Sequence, residues 1–195
     1  MDVAEASLWF ANTSVDGWNG TAWVRNIATG DFHAYDRFIT ERTFGAKKRV
    51  FHTPEDHKID YVTYPIIRTA DSKVWIVSSD NADIEGTEAY AQSYLLLEAT
   101  LQGDIIEHTT QTLASGAEGP LTETVLATHY CDLERYSASN SDIFQNVTYG
   151  GYEITFHRGV TINVENEVRI NGVYYEVKEV IPELLTTVCR CLKRA

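Results

Sequence analysis

Three stretches of this sequence hold residue types that could do chemistry. His52-Thr-Pro-Glu-Asp-His57 sets two imidazoles and two carboxylates close together, and such donors take a divalent ion when they converge. Pro54 breaks the helix that would bring them to one side, so the stretch reads as a solvated turn. Asp80-Asn-Ala-Asp-Ile-Glu-Gly86 has the composition of a calcium loop. Its acidic residues miss the offsets that such a loop needs, which leaves a polar connection over Ser78–Glu88. Cys189-x-Cys191 places two thiols on one face of a strand, and Cys131 is the third cysteine of the chain. A zinc site needs a fourth ligand, and none is evident, so the expectation is buried, reduced thiols. His129 alternates with core positions and reads as a hydrogen-bonded inward histidine.

The chain has no Gly-x-Ser-x-Gly elbow, phosphate loop or His-Glu-x-x-His helix. The expectation is therefore a protein that is not an enzyme, with no catalytic residue, no metal and no cofactor. The formal charge is −12 and divides evenly on either side of Gly103. An acidic surface of this kind disfavours tight binding to nucleic acid or to anionic membranes, both of which need clustered Lys and Arg. Lys47-Lys-Arg49 is the one basic run and reads as a solvated turn. No apolar run approaches the roughly 20 residues of a membrane helix. The start, Met1-Asp-Val-Ala-Glu5, lacks the basic residues of a signal peptide. Three cysteines make no disulfide framework, so a cytosolic origin is expected.

The elements that must position these residues are strands. Tyr152, Ile154 and Phe156 alternate with Glu153, Thr155 and His157, the period of a half-buried strand. Asn171-Gly172 separates Val168-Arg-Ile170 from Val173–Val177, a strong hairpin signal because both residues accept positive φ. A further strand, Leu185–Leu192, follows Pro182. Tyr175 and Val177 are expected in one core with Ile154, Phe156 and Ile170. In the first half, Asp16-Gly17 and Asn19-Gly20 mark tight turns within Leu8–Val24. Phe32–Phe44 has a weak helical spacing. Ile59–Tyr64, between Pro54 and Pro65, reads as an edge strand. Lys73–Ser79, Ala89–Ala99, Asp104–Ala114 and Leu121–Tyr136 read as strands, the last with Val125, Ala127, Cys131 and Leu133 facing inward.

These elements predict an all-β chain of two small antiparallel barrel or sandwich domains in tandem with little helix. The first, residues 1–103, is rich in Trp; the second is residues 104–195. Asp71–Val77 can be laid over Asn171–Val177, a turn followed by a strand in each. Tandem related domains and chance similarity between hairpins both account for this echo.

The order of signals from Asp104 to Ala195, above all Ile154–Asn163 (ITFHRGVTIN) and Val168–Val177 (VRINGVYYEV), resembles the head-closure, or stopper, proteins of tailed bacteriophages. That resemblance implies a structural role in the virion neck. It implies a homo-oligomeric ring, a hexamer, that is assembled in the host cytoplasm between the portal–adaptor complex and the tail proteins. Duplex DNA would be retained, or would pass through the lumen without specific binding, and no membrane would be involved. The extra Trp-rich domain departs from the usual single barrel. The alternative is a virion module that binds carbohydrate or a receptor, with Trp9, Trp18, Trp23 and Tyr35 as a stacking surface. Ser137–Asn146 is too long and too polar for a tight hairpin. Its segment Ser139, Asn140, Ser141, Asp142, Ile143, Phe144 and Gln145 is the expected partner-binding site, with Ile143 and Phe144 as apolar anchor.

Overall fold

The structure is a computed structural model that describes residues 13–34, 48–54, 58–85, 88–112, 115–135 and 151–194. The chain forms two compact units, residues 1–100 with 183–186, and residues 101–182 with 187–195. Gly103, the expected break, therefore lies inside the first strand of the second unit.

In the first unit, β1 (Thr13–Trp18), β2 (Trp23–Ala34), β3 (Lys48–Pro54), β4 (Ile66–Thr69), β5 (Val74–Glu85) and β6 (Glu88–Glu98) close into a barrel. The order around it is β1-β2-β3-β6-β5-β4, every pair is antiparallel, and β4 pairs back onto β1. Val15, Phe51, Ile67, Trp75, Val77, Tyr94 and Leu96 are buried in its core. The second unit holds β7 (Leu101–Thr112), β8 (Glu118–Arg135), β9 (Tyr152–His157), β10 (Glu167–Ile170), β11 (Val173–Pro182) and β12 (Thr186–Lys193). It too is a closed barrel, in the order β7-β8-β9-β12-β11-β10. All-β architecture with two barrels in tandem is what the alternation and turn signals predict.

The two orders are the same, and the likeness extends to single residues. Asp16 of β1 lies opposite Arg68 of β4, and Asp104 of β7 lies opposite Arg169 of β10. Both pairs are ion pairs, at 3.0 and 2.9 Å. Each barrel also carries a bulge after the same valine, between Val77 and Ser79 in β5 and between Val177 and Glu179 in β11. The Val77 amide donates to the Pro65 carbonyl, and the Val177 amide donates to the Asn166 carbonyl. The turn-and-strand segments that echo each other in sequence, Asp71–Val77 and Asn171–Val177, hold equivalent places in the two barrels.

Local signals explain the second barrel well. Asn171 and Gly172 have φ of 50° and 77°, as a two-residue hairpin with the twist of its strands requires. Ile154, Phe156, Ile170, Tyr175 and Val177 share one buried cluster with Cys131, Cys189 and Cys191.

Several expectations are corrected. Asp16-Gly17 lies inside β1, and Lys48-Arg49 and His52–Pro54 lie inside β3, where the sequence predicts turns. Ile59–Tyr64 is a turn rather than an edge strand. The Asp60 carboxylate accepts from the Val62 and Thr63 amides, and the Tyr64 amide donates to the Asp60 carbonyl, which curls the chain. Phe32–Ala34 belong to β2 and pair with β3, so no helix starts there; residues 35–47 lie outside the described residues. Ser78–Glu88 is not a loop, because β5 and β6 pair out to Glu85 and Glu88. The polar run Ser78–Glu88 has no apolar alternation by which to announce a strand. Val125 is not inward: a bulge at Leu126 breaks the phase of β8, and Val125 is 45% exposed.

Phe51 and Phe156 are large, fully buried rings in their respective cores. Phe51→Ala and Phe156→Ala are each expected to cost about 3–5 kcal/mol, because transfer energy is lost and a cavity remains. Urea unfolding followed by tryptophan fluorescence and far-ultraviolet circular dichroism measures both. A cost below about 1 kcal/mol for either would contradict the packing.

Candidate functional site

β7 and β8 are longer than the barrel needs. β7 pairs with β10 only over Asp104–Ile106, and β8 pairs with β9 only over Cys131–Arg135. From Glu107 to Thr112 and from Glu118 to His129 the two strands pair with each other alone among the described residues. They make a two-stranded arm.

A polar clamp holds the base of this arm. Arg169 of β10 donates to Asp104 at 2.9 and 3.2 Å and also contacts the Glu123 carboxylate on β8. The Tyr174 hydroxyl donates to Glu123 at 3.0 Å, and the Thr128 hydroxyl donates to Asp104 at 2.6 Å. On the other strand, His108 Nε2 donates to Glu167 at 2.8 Å, and Arg194 holds the same carboxylate at 3.1 and 3.2 Å. Glu167 is nearly buried, so these two donors offset its lost hydration. The Thr128 hydroxyl, and after it Arg169, hold the Asp104 carboxyl below its usual range. Hydrogen bonding to Tyr174 and Asp104 raises the Arg169 pKa. The clamp fixes the direction in which the arm leaves the barrel.

Beyond the clamp Leu121 is 58% exposed, and Val125 and Leu126, between Glu123 and Thr128 of the clamp, are 45 and 50% exposed. No rule applied to the sequence singles them out, since Thr-rich strand with scattered Leu and Val reads as ordinary half-buried sheet. The usable signal was length: β8 runs for 18 residues, against a common strand length of about 5–6.

Ser139–Gln145, the expected partner-binding segment, lies outside the described residues, as do Trp9, Tyr35 and His57. The Trp18 and Trp23 rings pack at a tilt with centroids 5.5 Å apart, and the Arg68 guanidinium lies 4.4 Å from the Trp23 ring. A cation therefore already covers one face that a sugar would use. His52 shares a hydrogen bond with Ser93 at 2.8 Å. Asp80 and the residues after it are paired strand, not a cation loop. Among the described residues, no three His, Cys, Asp or Glu side chains converge on a metal position. Cys131, Cys189 and Cys191 are buried and unbridged, and burial pushes the thiols of Cys131 and Cys189 up to about 12. Such thiols are neutral at pH 7 and make poor nucleophiles.

His129 does point inward, and it meets a second histidine. His157 Nδ1 lies 2.6 Å from the Arg158 carbonyl, which can only accept, so Nδ1 carries the proton. His157 Nε2 is then the acceptor for His129 Nδ1 at 3.3 Å. Burial lowers the pKa of His129, and burial together with its neighbour takes His157 down to about 4. The pair is neutral, meets no carboxylate among the described residues, and is suited to holding β8 against β9 rather than to proton transfer.

No protein-family model, no curated protein and no solved structure matches this chain. The site is therefore argued from its own geometry.

Two outcomes follow. The folded pKa of His157 lies below its unfolded value near 6.5, so its contribution is complete above pH 6.5 and is lost as pH falls towards 4. Asp16 and Asp104, whose pKa values are also lowered, lose theirs only below the usual carboxylate range. Urea midpoints should decline between pH 6.5 and 4 in the wild type and much less in His157→Gln; equal slopes would refute the pair's role. Separately, the thiols should react with a disulfide reagent only on unfolding, and EDTA should leave the melting temperature unchanged. A structural zinc ion supplies on the order of 10 kcal/mol, so a large fall with EDTA would reveal an overlooked metal.

Proposed function

We propose that this chain is a structural ring component of a tailed-phage neck, joining the portal–adaptor complex to the tail. The observation that carries the reading is the fate of the residues on which the resemblance rests. Ile154–Asn163 and Val168–Val177 supply β9, β10 and the first half of β11 of one closed barrel. Small barrels of this kind are the architecture the resemblance implies. Neutral buried histidines and thiols fit a scaffold better than a catalyst. A charge of −12 per chain suits a ring through which DNA moves, since a lumen of the same sign as phosphate lets the duplex pass without holding it. Subunits that bind neighbours through several contacts gain strength from the ring as a whole.

The test is reconstitution. DNA-filled heads made without this chain should leak DNA and fail to take tails. Adding the purified protein should restore joining, with ring density at the neck in electron micrographs. Normal joining without the chain would overturn the proposal. Binding of the purified protein to cell-surface glycans, with loss of adsorption rather than of joining in its absence, would favour the receptor-binding alternative.

A further inference from the structure

The first barrel shows what the second would look like without its arm. Starting from the equivalent acids, Asp16 and Asp104, the chain in the first barrel runs on only to Trp18. It turns at Asn19–Ala22 and returns at Trp23, with Trp18 opposite Trp23. In the second barrel the equivalent strand continues past Ile106 to Thr112, and β8 comes back from Glu118. Both barrels close with the same order and the same Asp–Arg pair. Closure therefore does not need the arm, and an isolated two-stranded ribbon is at best marginally stable in water.

We infer that the β7–β8 arm is a docking surface for a second copy of this chain, by head-to-tail strand addition. The outer edge of β8 along Leu121–Thr128 in one copy pairs with the outer edge of β7 along Glu107–Thr112 in the next. This rests on the ring-forming role proposed above and names the surface that would build the ring. Both edges are open among the described residues. Two arms lying side by side and pointing the same way place β8 of one antiparallel to β7 of the other, the geometry that antiparallel ladders require.

Charge selects the occupant. Two copies that each carry −12 repel one another over most of their surface. Neither Thr124–Tyr130 nor His108–Ala117 contains an Asp, Glu, Lys or Arg. An acidic chain can approach its own copy there, whereas a basic partner would find little to pair with. Exposed edges are normally protected by charge or proline. Here Pro120 stands only at the outer end of the β8 edge, Glu123 is turned to Arg169 and Tyr174, and Glu107 is the single acid at the barrel end of the β7 edge. Leu121, Val125 and Leu126 supply apolar area for the neighbour to cover.

Two variants test this. In the first, Thr109–Thr122 is replaced by Asn-Gly, which joins His108 to its partner Glu123 through the kind of turn used at Asn171-Gly172 and keeps the clamp. The second is Leu121→Glu/Leu126→Glu, which adds like charge to the edge. Sedimentation velocity over a range of concentrations reads self-association, and near-ultraviolet circular dichroism reads folding. Both variants should keep the wild-type fold and lose association by at least about tenfold, equivalent to about 1.4 kcal/mol. If the wild type associates and both variants associate equally well, the arm is not the surface, although the ring reading survives. A wild type that stays monomeric at every concentration removes the second copy as occupant, and the joining assay then judges the neck role separately. Failure of the shortened variant to fold would refute the claim that closure does not need the arm; the charge variant would still read the docking.

Discussion

In each barrel the fourth strand has to reach back to the first, and everything else depends on that contact. Six strands that fail to meet leave two open edges and an uncovered core; six that do meet leave none. At the seam both barrels set an aspartate opposite an arginine, Asp16 with Arg68 and Asp104 with Arg169. These ion pairs are partly exposed, so their direct contribution to stability is modest. Their value is in register: a slip of one residue would exchange inward and outward side chains on the closing strand and separate the charges. The arginines also lie near aromatic rings, Trp23 and Tyr174, which limits the directions the guanidinium can take.

Closure also requires the chain to cross from the third strand to the fourth, and the barrels secure this crossing differently. In the first, the buried Tyr94 hydroxyl accepts from the Ile59 amide and donates to its carbonyl, at 2.9 and 3.2 Å. By register against the strand with the shared bulge, Tyr94 corresponds to Cys189, whose short side chain has no such reach. The second barrel uses Asn166 instead. Its side chain accepts from the Asn163 amide, its own amide donates to the Asn163 carbonyl, and Val160 and Ile162 are buried in the crossing. One topology thus tolerates two anchors, because what it demands is satisfied backbone groups on a buried segment rather than a particular side chain.

The arm and the seam are connected features of one barrel. Arg169 neutralises Asp104 at the seam and Glu123 at the arm's base, so the residue that sets register also aims the hairpin. Its counterpart Arg68 has no hairpin to aim; it meets Asp16 and the Trp18–Trp23 pair, where the shorter hairpin ends. The difference between the two barrels is a difference in what is built onto a common closure.

Sequence by itself determined the all-β class, the Asn171-Gly172 hairpin and the inward face of β9 and β11. These follow from local rules: positive φ at two turn residues, and a side-chain period of two. It also made the burial of Cys131, Cys189 and Cys191 readable, because strand alternation places them with apolar neighbours. Tertiary structure alone decided the rest. That Arg68 meets Asp16, or that Glu167 is held by His108 and Arg194, depends on pairing between distant strands, which leaves no trace in spacing. Ile59–Tyr64 looked like a strand by composition, and Asp60 turned it through hydrogen bonds that propensity does not weigh. The polar hairpin of β5 and β6 and the arm of β7 and β8 escaped for the same reason. A run without apolar alternation announces no strand, so only the ladder between the two strands reveals it.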